Sequence, residues 1–458
     1  MNSQAHGGVK LMLAALAGMS FLLHACAGTR TSVDRGGVSG GDSVSATTPS
    51  ARRSTVSGAT RLASLAPIFQ NRPDRTLIVH GWKLPADAER VLFSTSNGAP
   101  PPSRGGLIPF AAADPIDAPW CALLPIGSNL PRGAWYVSPE ITAGGGKRFN
   151  EALVSWNIDV NAEDPASVAL IELQVGDSTK GFWSPWLALG TVGGGALPEG
   201  EFVQTFTDAT VGVVGKVEVD VFTSKHTFDR MRYRVRAFGT SAVAVRSISI
   251  TLSDIGQIGG SRPLAPAVVG AEIPRLGLPF FSQKTRDEKL SGRLCSPTSV
   301  TMVLNHAGAA CTVQGVSELV YDKRFDLFGN WPRNVQAAWG MGVPGMLVRF
   351  DDFAQARAVL QAGVPIIASI RVEKGELPAA PYASTDGHLI VIEGMTAAGD
   401  LLVLDPAVGD AAQGRRVYPA KDMAKVWLQG SDGTAYLLSG AVPDSVSPPN
   451  TQQQGPRK

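Results

Sequence analysis

The sequence predicts an all-β sandwich followed by an α+β domain, and three observations carry that prediction. From Arg61 to about Asp254, short apolar runs are punctuated by Gly, Pro, Asn and Asp, the pattern of short strands joined by tight turns. Beyond residue 277, helical spacing comes first and strands follow, which describes an α+β unit. At 458 residues the chain has room for two cores, and the Gly, Pro and Arg set among small residues over 255–276 read as the connector. The second core is expected to stand by itself from about residue 277.

The first residues have the layout of an export signal: Lys10, an apolar run from Leu11 to Leu23 too short to span a bilayer comfortably, then Ala25-Cys26. Leu23-His24-Ala25-Cys26 resembles the lipobox of bacterial lipoproteins, which is cut before a Cys that is then acylated. The expectation is a signal over 1–25, lipidation at Cys26 and an exported protein held by acyl chains on the cell envelope. Plain secretion after a cut near Ala27 is the alternative. Residues 26–60, rich in Gly, Ser and Thr, read as a flexible tether.

Within the first domain, 61–254, strands are expected at Thr76–Gly81, Ala152–Val160, Ser167–Val175, Trp186–Val192, Lys216–Thr223, Arg230–Ala237 and Val243–Leu252. Val217, Val219 and Val221 alternate on one face, as do Ile248 and Ile250. Six of the nine tryptophans lie here, including Trp183 and Trp186. Exposed, they would suit a glycan or protein ligand; packed into the sandwich, they need no ligand, and packing is the simpler reading. No cluster of His, Cys or carboxylates points to a metal.

The second domain, 277–440, has helical spacing at Thr298–Ala307 and Phe353–Ala362, then strands at Val364–Val372, Leu389–Gly394, Leu401–Asp405 and Thr434–Leu438. The tail 441–458, with its prolines and Gln run, reads as disordered. A net charge of +2 with 44% apolar residues gives no nucleic-acid-binding surface. Cys121 and Cys311 read as free thiols rather than a pair.

Chemistry concentrates in this domain. Cys295 precedes Pro297, which suits a first helical turn, so its thiol sits at a helix N-terminus where the dipole favours a thiolate. Outside the signal the histidines are His80, His226, His306 and His388. The first two lie in the β domain, and His306 is at the far end of the Cys295 helix, about 16 Å away along its axis. His388, just before the strand Leu389-Ile390-Val391-Ile392, is the candidate base. Asp405 ends the returning strand and is the candidate acceptor for the imidazole Nδ1–H. Hairpin counting does not set it opposite His388, so a bulge or strong twist is required. A structural Cys, a solvated loop His and a simple Asp-Pro turn are the competing readings.

In the order Gln283, Cys295-Ser296-Pro297-Thr298-Ser299, Asp386-Gly387-His388 and Asp405-Pro406-Ala407, the chain resembles the papain-like cysteine peptidases related to bacteriocin leader peptidases, over about residues 277–440. The resemblance implies a papain-like fold with Cys295 as nucleophile, His388 as general base and then acid, Asp405 as orienter and Gln283 as oxyanion-hole donor. It implies a peptide or protein substrate and no cofactor. The family usually has Gly where this chain has Ser296, whose Cβ is expected to crowd the nucleophile. An acyl transferase using the same triad, and a surface binding protein with a degenerate site, are the alternatives.

Overall fold

The computed structural model describes residues 58–440 apart from 71–74, 82–89, 96–107, 110–119, 126–128, 131–133, 139, 162, 209–212, 240, 242 and 256–262. The expected signal, Cys26, most of the tether and the tail lie outside the described residues. No helix among the described residues is long and apolar enough to cross a membrane.

Two seven-stranded antiparallel sheets build the N-terminal region. Strands Phe149–Asp159 and Val243–Ser253 lie side by side in one, Val168–Asp177 and Arg230–Phe238 in the other. Val154, Trp156, Ile248 and Ile250 from the first sheet share a single hydrophobic core with Ile171, Leu173, Tyr233 and Val235 from the second. Alternating apolar residues explain this: each strand turns one face inward.

The expected strand Lys216–Thr223 is instead a hairpin, Val213–Glu218 and Val221–Phe228, in which Glu218 pairs with Val221. Val219 at the turn has φ +62°, a left-handed conformation that β-branched residues rarely adopt. Glu218 and Val221 flank the turn three residues apart, so the alternation reverses there: Val217 and Phe222 enter the sandwich core, while Val221 packs with the C-terminal cluster, not on the face expected for all three valines. The Trp183 ring carries the guanidinium groups of Arg230 and Arg232 at 4.7 and 4.5 Å, and Trp186 carries Arg234 at 4.5 Å. Neighbouring side chains thus already stack on these rings.

The C-terminal domain is built on a six-stranded sheet: β1 (Gly345–Arg349), β2 (Ile366–Val372), β3 (Thr385–Met395), β4 (Leu401–Leu404), β5 (Arg415–Tyr418) and β6 (Thr434–Leu438), in the order β1-β6-β2-β3-β4-β5. Its longer helices are α1 (Cys295–His306), α2 (Val313–Val320), α3 (Trp331–Gly340) and α4 (Phe353–Gln361). Leu389 and Val391 of β3 face α1, α2 and α3, while Ile390 and Ile392 face α4. A strand buried on both faces reads as a continuous apolar run, as Leu389-Ile390-Val391-Ile392 does.

Two domain boundaries differ from expectation. Residues 58–69, assigned to the tether and the start of the β domain, are helical, and Leu62, Leu65, Ala66 and Phe69 join the C-terminal core, with the Phe69 ring 5.0 Å from Phe350. Their spacing is that of one helix face. The connector's second half is also engaged: Ile273 bridges to Met395, and Leu276 N–H donates to Glu393 O at 2.8 Å.

The two regions also share a seam. Asn157 donates to Gly345 O at 2.8 Å and accepts from Gly345 N at 3.1 Å, and Ser155 Oγ accepts from Leu347 N at 2.9 Å. Strand Phe149–Asp159 therefore caps the free edge of β1, an edge that would otherwise be open to another chain. Buried Arg349 pairs with buried Glu151 at 2.7 Å across the same seam. The core expected to stand alone from residue 277 is thus completed by residues before it.

Candidate active site

Cys295 is the first residue of α1, whose first backbone bond runs from Thr298 N to Leu294 O at 3.0 Å. The sulfur is hydrogen-bonded by His388 and by the backbone amides of Leu389 and Ser296. Burial pushes the thiol pKa up, but these donors and the charge of His388 outweigh it and hold the pKa below the usual value. Ser296 is fully buried and its Oγ lies 3.0 Å from the buried Tyr436 hydroxyl on β6. Its side chain therefore points into the core, not across the nucleophile as expected.

His388 lies within β3, not just before the strand, and is buried. Its Nε2 meets Asp405 Oδ1 at 2.9 Å, where Nδ1 was expected. The reason is the position of the thiol: Cys295 rests against the Leu389 backbone amide, so the ring nitrogen nearer the main chain faces sulfur and the farther one reaches the next strand. Burial lowers the His388 pKa, yet the Asp405 charge and hydrogen bond, with Cys295, raise it to about 10. Burial raises the Asp405 pKa, but His388, Tyr418 and the Ala407 amide bring it to about 2. The arrangement favours a thiolate beside an imidazolium.

A β-bulge brings the pair together. Met395 and Gly394 oppose Leu401 and Leu402, then the register shifts so that Ile392 and Val391 oppose Val403 and Leu404. Continued one step, the shifted register sets Asp405 against Ile390, on the same face as His388 and diagonal to it. In an unbroken ladder Asp405 would oppose Val391, on the other face. One extra residue, Glu393, decides the matter.

Two tyrosines complete the site, and sequence reasoning missed both. Tyr382 and Tyr418 donate to Asp405 Oδ2 at 3.0 and 2.6 Å, while the Ala407 amide donates to Oδ1 at 2.9 Å. The Tyr382 ring also stands edge-on to His388, centroids 5.1 Å apart. A buried phenol seeks an acceptor, but nothing in a single chain says which one.

Gln283 is buried, its amide N–H donating to Pro406 O at 3.0 Å and its Nε2 to Ser291 O at 2.8 Å. It thus links the turn after Asp405 to the segment just ahead of Cys295, and Nε2 retains one further N–H. His306 sits at the opposite end of α1, beside Arg61 and Ser439. Cys311 is a free thiol that accepts from Asn305 Nδ2 at 3.3 Å. Among the described residues no group of His, Cys, Asp and Glu is placed to hold a metal ion.

Residues 275–434 match the model of the Peptidase_C39 like family. Similar solved structures include a double glycine motif protease from an AMS/PCAT transporter in complex with the leader peptide, 15% identical over 36% of this chain and 94% of that one, with a TM-score of 0.26. A C39-like protein from Bacillus anthracis is 13% identical over 38% of this chain and all 100% of that one, TM-score 0.29. The xylan-binding module CBM15 is 16% identical over 39% and 97%, TM-score 0.19. No curated protein matches the chain.

Proposed function

From a C-terminal segment that matches the Peptidase_C39 like family, we propose that the domain is a cysteine peptidase that hydrolyses peptide bonds through a thioester, with Cys295, His388 and Asp405 as its triad. The observation that carries this reading is the unbroken hydrogen-bonded series from the Cys295 sulfur through His388 to Asp405. The Cys295 thiolate attacks the substrate carbonyl carbon, and the carbonyl π electrons move to oxygen. The Cys295 backbone N–H and the remaining Nε2–H of Gln283 receive that oxyanion. Collapse expels the amine, which takes the imidazolium proton of His388, leaving a thioester. Water, deprotonated by His388, attacks the thioester; the acid product leaves and the thiolate–imidazolium pair is restored. Asp405 keeps the ring aligned and its charge balanced throughout.

Incubation with a peptide library and mass spectrometry of the products tests this reading, with Cys295→Ala as control and an added amine to reveal acyl transfer. New termini that depend on Cys295 support it; cleavage that persists in Cys295→Ala overturns it.

Export and lipidation at Cys26 belong to the same proposal, supported by the apolar run ending at Ala25-Cys26. Cys26→Ser should move the protein from the membrane fraction to the soluble one. The two sheets around one core support a sandwich as the N-terminal accessory unit. Arginines stacked on Trp183 and Trp186 favour packing over a glycan or protein ligand at those rings.

A further inference from the structure

Glu393 interrupts the apolar run of β3 and is the extra residue at its bulge. Its side chain is fully buried. Oε1 accepts from Arg275 Nη1 at 2.7 Å and Arg415 Nη1 at 2.9 Å, and Oε2 from the Leu278 amide at 3.2 Å. The same arginines hold the main chain around the bulge. Arg275 also donates to Val403 O in β4 at 3.2 Å and to Arg416 O in β5 at 2.9 Å, and Arg415 donates to Leu278 O at 2.9 Å.

Clusters of this kind add little net stability, because desolvating the charges offsets their attraction, and their best-attested use is to fix a register. Here the register decides which face Asp405 occupies. We propose that Glu393, held by Arg275 and Arg415, is a positioning residue of the active site: it keeps the extra residue in β3 and so places Asp405 on the face of His388. Without the bulge, β3 and β4 close into a regular ladder that turns the Asp405 side chain away from the imidazole. The same carboxylate anchors Leu278 at the start of the segment that carries Gln283, so one buried charge aligns two parts of the site. This inference rests on the triad reading.

The test uses the full chain and no peptide substrate. Alkylation of Cys295 by iodoacetamide, located by mass spectrometry, is followed against pH in the wild type and in a triple variant carrying Arg275→Met, Glu393→Met and Arg415→Met. The apolar triple is expected to keep or raise the melting temperature. Its Cys295 should alkylate about tenfold or more slowly at pH 6, since each unit of thiol pKa is tenfold in thiolate, while Cys311 labelling stays unchanged. In an Asp405→Ala background the triple should make no further difference, because it acts through Asp405. A triple variant that retains the wild-type alkylation profile overturns the inference. So does one that fails to fold, because the cluster would then serve stability and not register. An ordinary thiol profile in the wild type would instead remove the triad itself, a separate failure.

Discussion

Glu172, within a strand of the N-terminal region, and Asp405, one residue past the end of β4 in the C-terminal domain, are both buried carboxylates, each receiving four hydrogen bonds, yet their partners differ in kind. Glu172 is gripped in parallel pairs by Arg234 at 2.7 and 3.0 Å and by Arg236 at 2.7 and 3.2 Å. Guanidinium does not lose its proton in proteins, so nothing in that cluster can transfer one. Asp405 faces an imidazole, two phenols and a backbone amide. The imidazole can exchange a proton with a neighbour, and that neighbour is the Cys295 sulfur. What separates the ion pair that holds a sheet from the one proposed to do chemistry is thus whether the partner can exchange a proton, not the burial of the carboxylate.

The largest effects should come from breaking the Cys295–His388–Asp405 series at its thiol end. Cys295→Ala and His388→Ala should each lower turnover by on the order of 10⁴-fold or more, with the fold intact by circular dichroism. His306→Ala, at the wrong end of α1, should leave turnover near wild type. Equal losses from the two histidine variants would show that the base has been misassigned.

Removing the orienter comes next. Asp405→Ala should cost on the order of 10³-fold in turnover, because the ring loses its alignment and its counter-charge. An amide oxygen can also accept from imidazole, so that one hydrogen bond would survive in Asp405→Asn. The two phenols make the exchange costly all the same. In Asp405→Asn an NH₂ group replaces the oxygen that Tyr382 and Tyr418 bond, and no negative charge supports the imidazolium, so a loss of about tenfold to a hundredfold is expected. Near-normal turnover in Asp405→Ala would remove Asp405 from the triad.

The same contrast predicts a pH dependence. His388 is held above its ordinary value of 6.5, so its contribution to stability is complete below that pH and is lost as pH rises through about 10. Asp405 is held below its ordinary 3.8, so its contribution is complete above that pH and is lost as pH falls through about 2. Turnover should therefore fall on the alkaline side near pH 10, and in Asp405→Asn that limb should move toward neutrality. An alkaline limb that stays in place would mean that Asp405 does not set the charge of His388.

Smaller effects should follow from the supporting groups. Tyr418→Phe removes a donor 2.6 Å from the carboxylate and should cost about 1.5–3 kcal/mol of stability, as hydrogen bonds to charged groups do. A few-fold fall in kcat with KM unchanged should accompany it. Glu172→Gln is the limiting case for turnover: stripping the charge from a buried cluster should cost about 3–5 kcal/mol, while turnover per folded molecule and its pH profile stay at wild type. A changed pH profile in Glu172→Gln would dissolve the distinction between the two clusters.

Much of the site was legible in the chain because its signals are local. Pro297 behind Cys295 marks a helix start, and the apolar run after His388 marks a buried strand. The need for a bulge between His388 and Asp405 also followed from counting. Less legible were features that depend on distant partners. Leu62, Leu65, Ala66 and Phe69 have helical spacing, but only their packing on Phe350 and Phe353 assigns them to the C-terminal core. Asn157 and Ser155 read as ordinary polar residues of a β-strand until β1 lies alongside them.

The sequence by itself determined which residues are available for chemistry, in what order, and on which kind of element each is carried, because periodicity, helix starts and turns are written within a few neighbouring residues. Tertiary structure alone decided which imidazole nitrogen meets Asp405, that Tyr382 and Tyr418 share its second oxygen, and that Ser296 turns toward Tyr436. Those outcomes depend on side-chain direction and on strand register. A shift of one residue reverses which face a side chain occupies, and here that shift is held by charges that approach Glu393 from segments more than a hundred residues before it and about twenty after it.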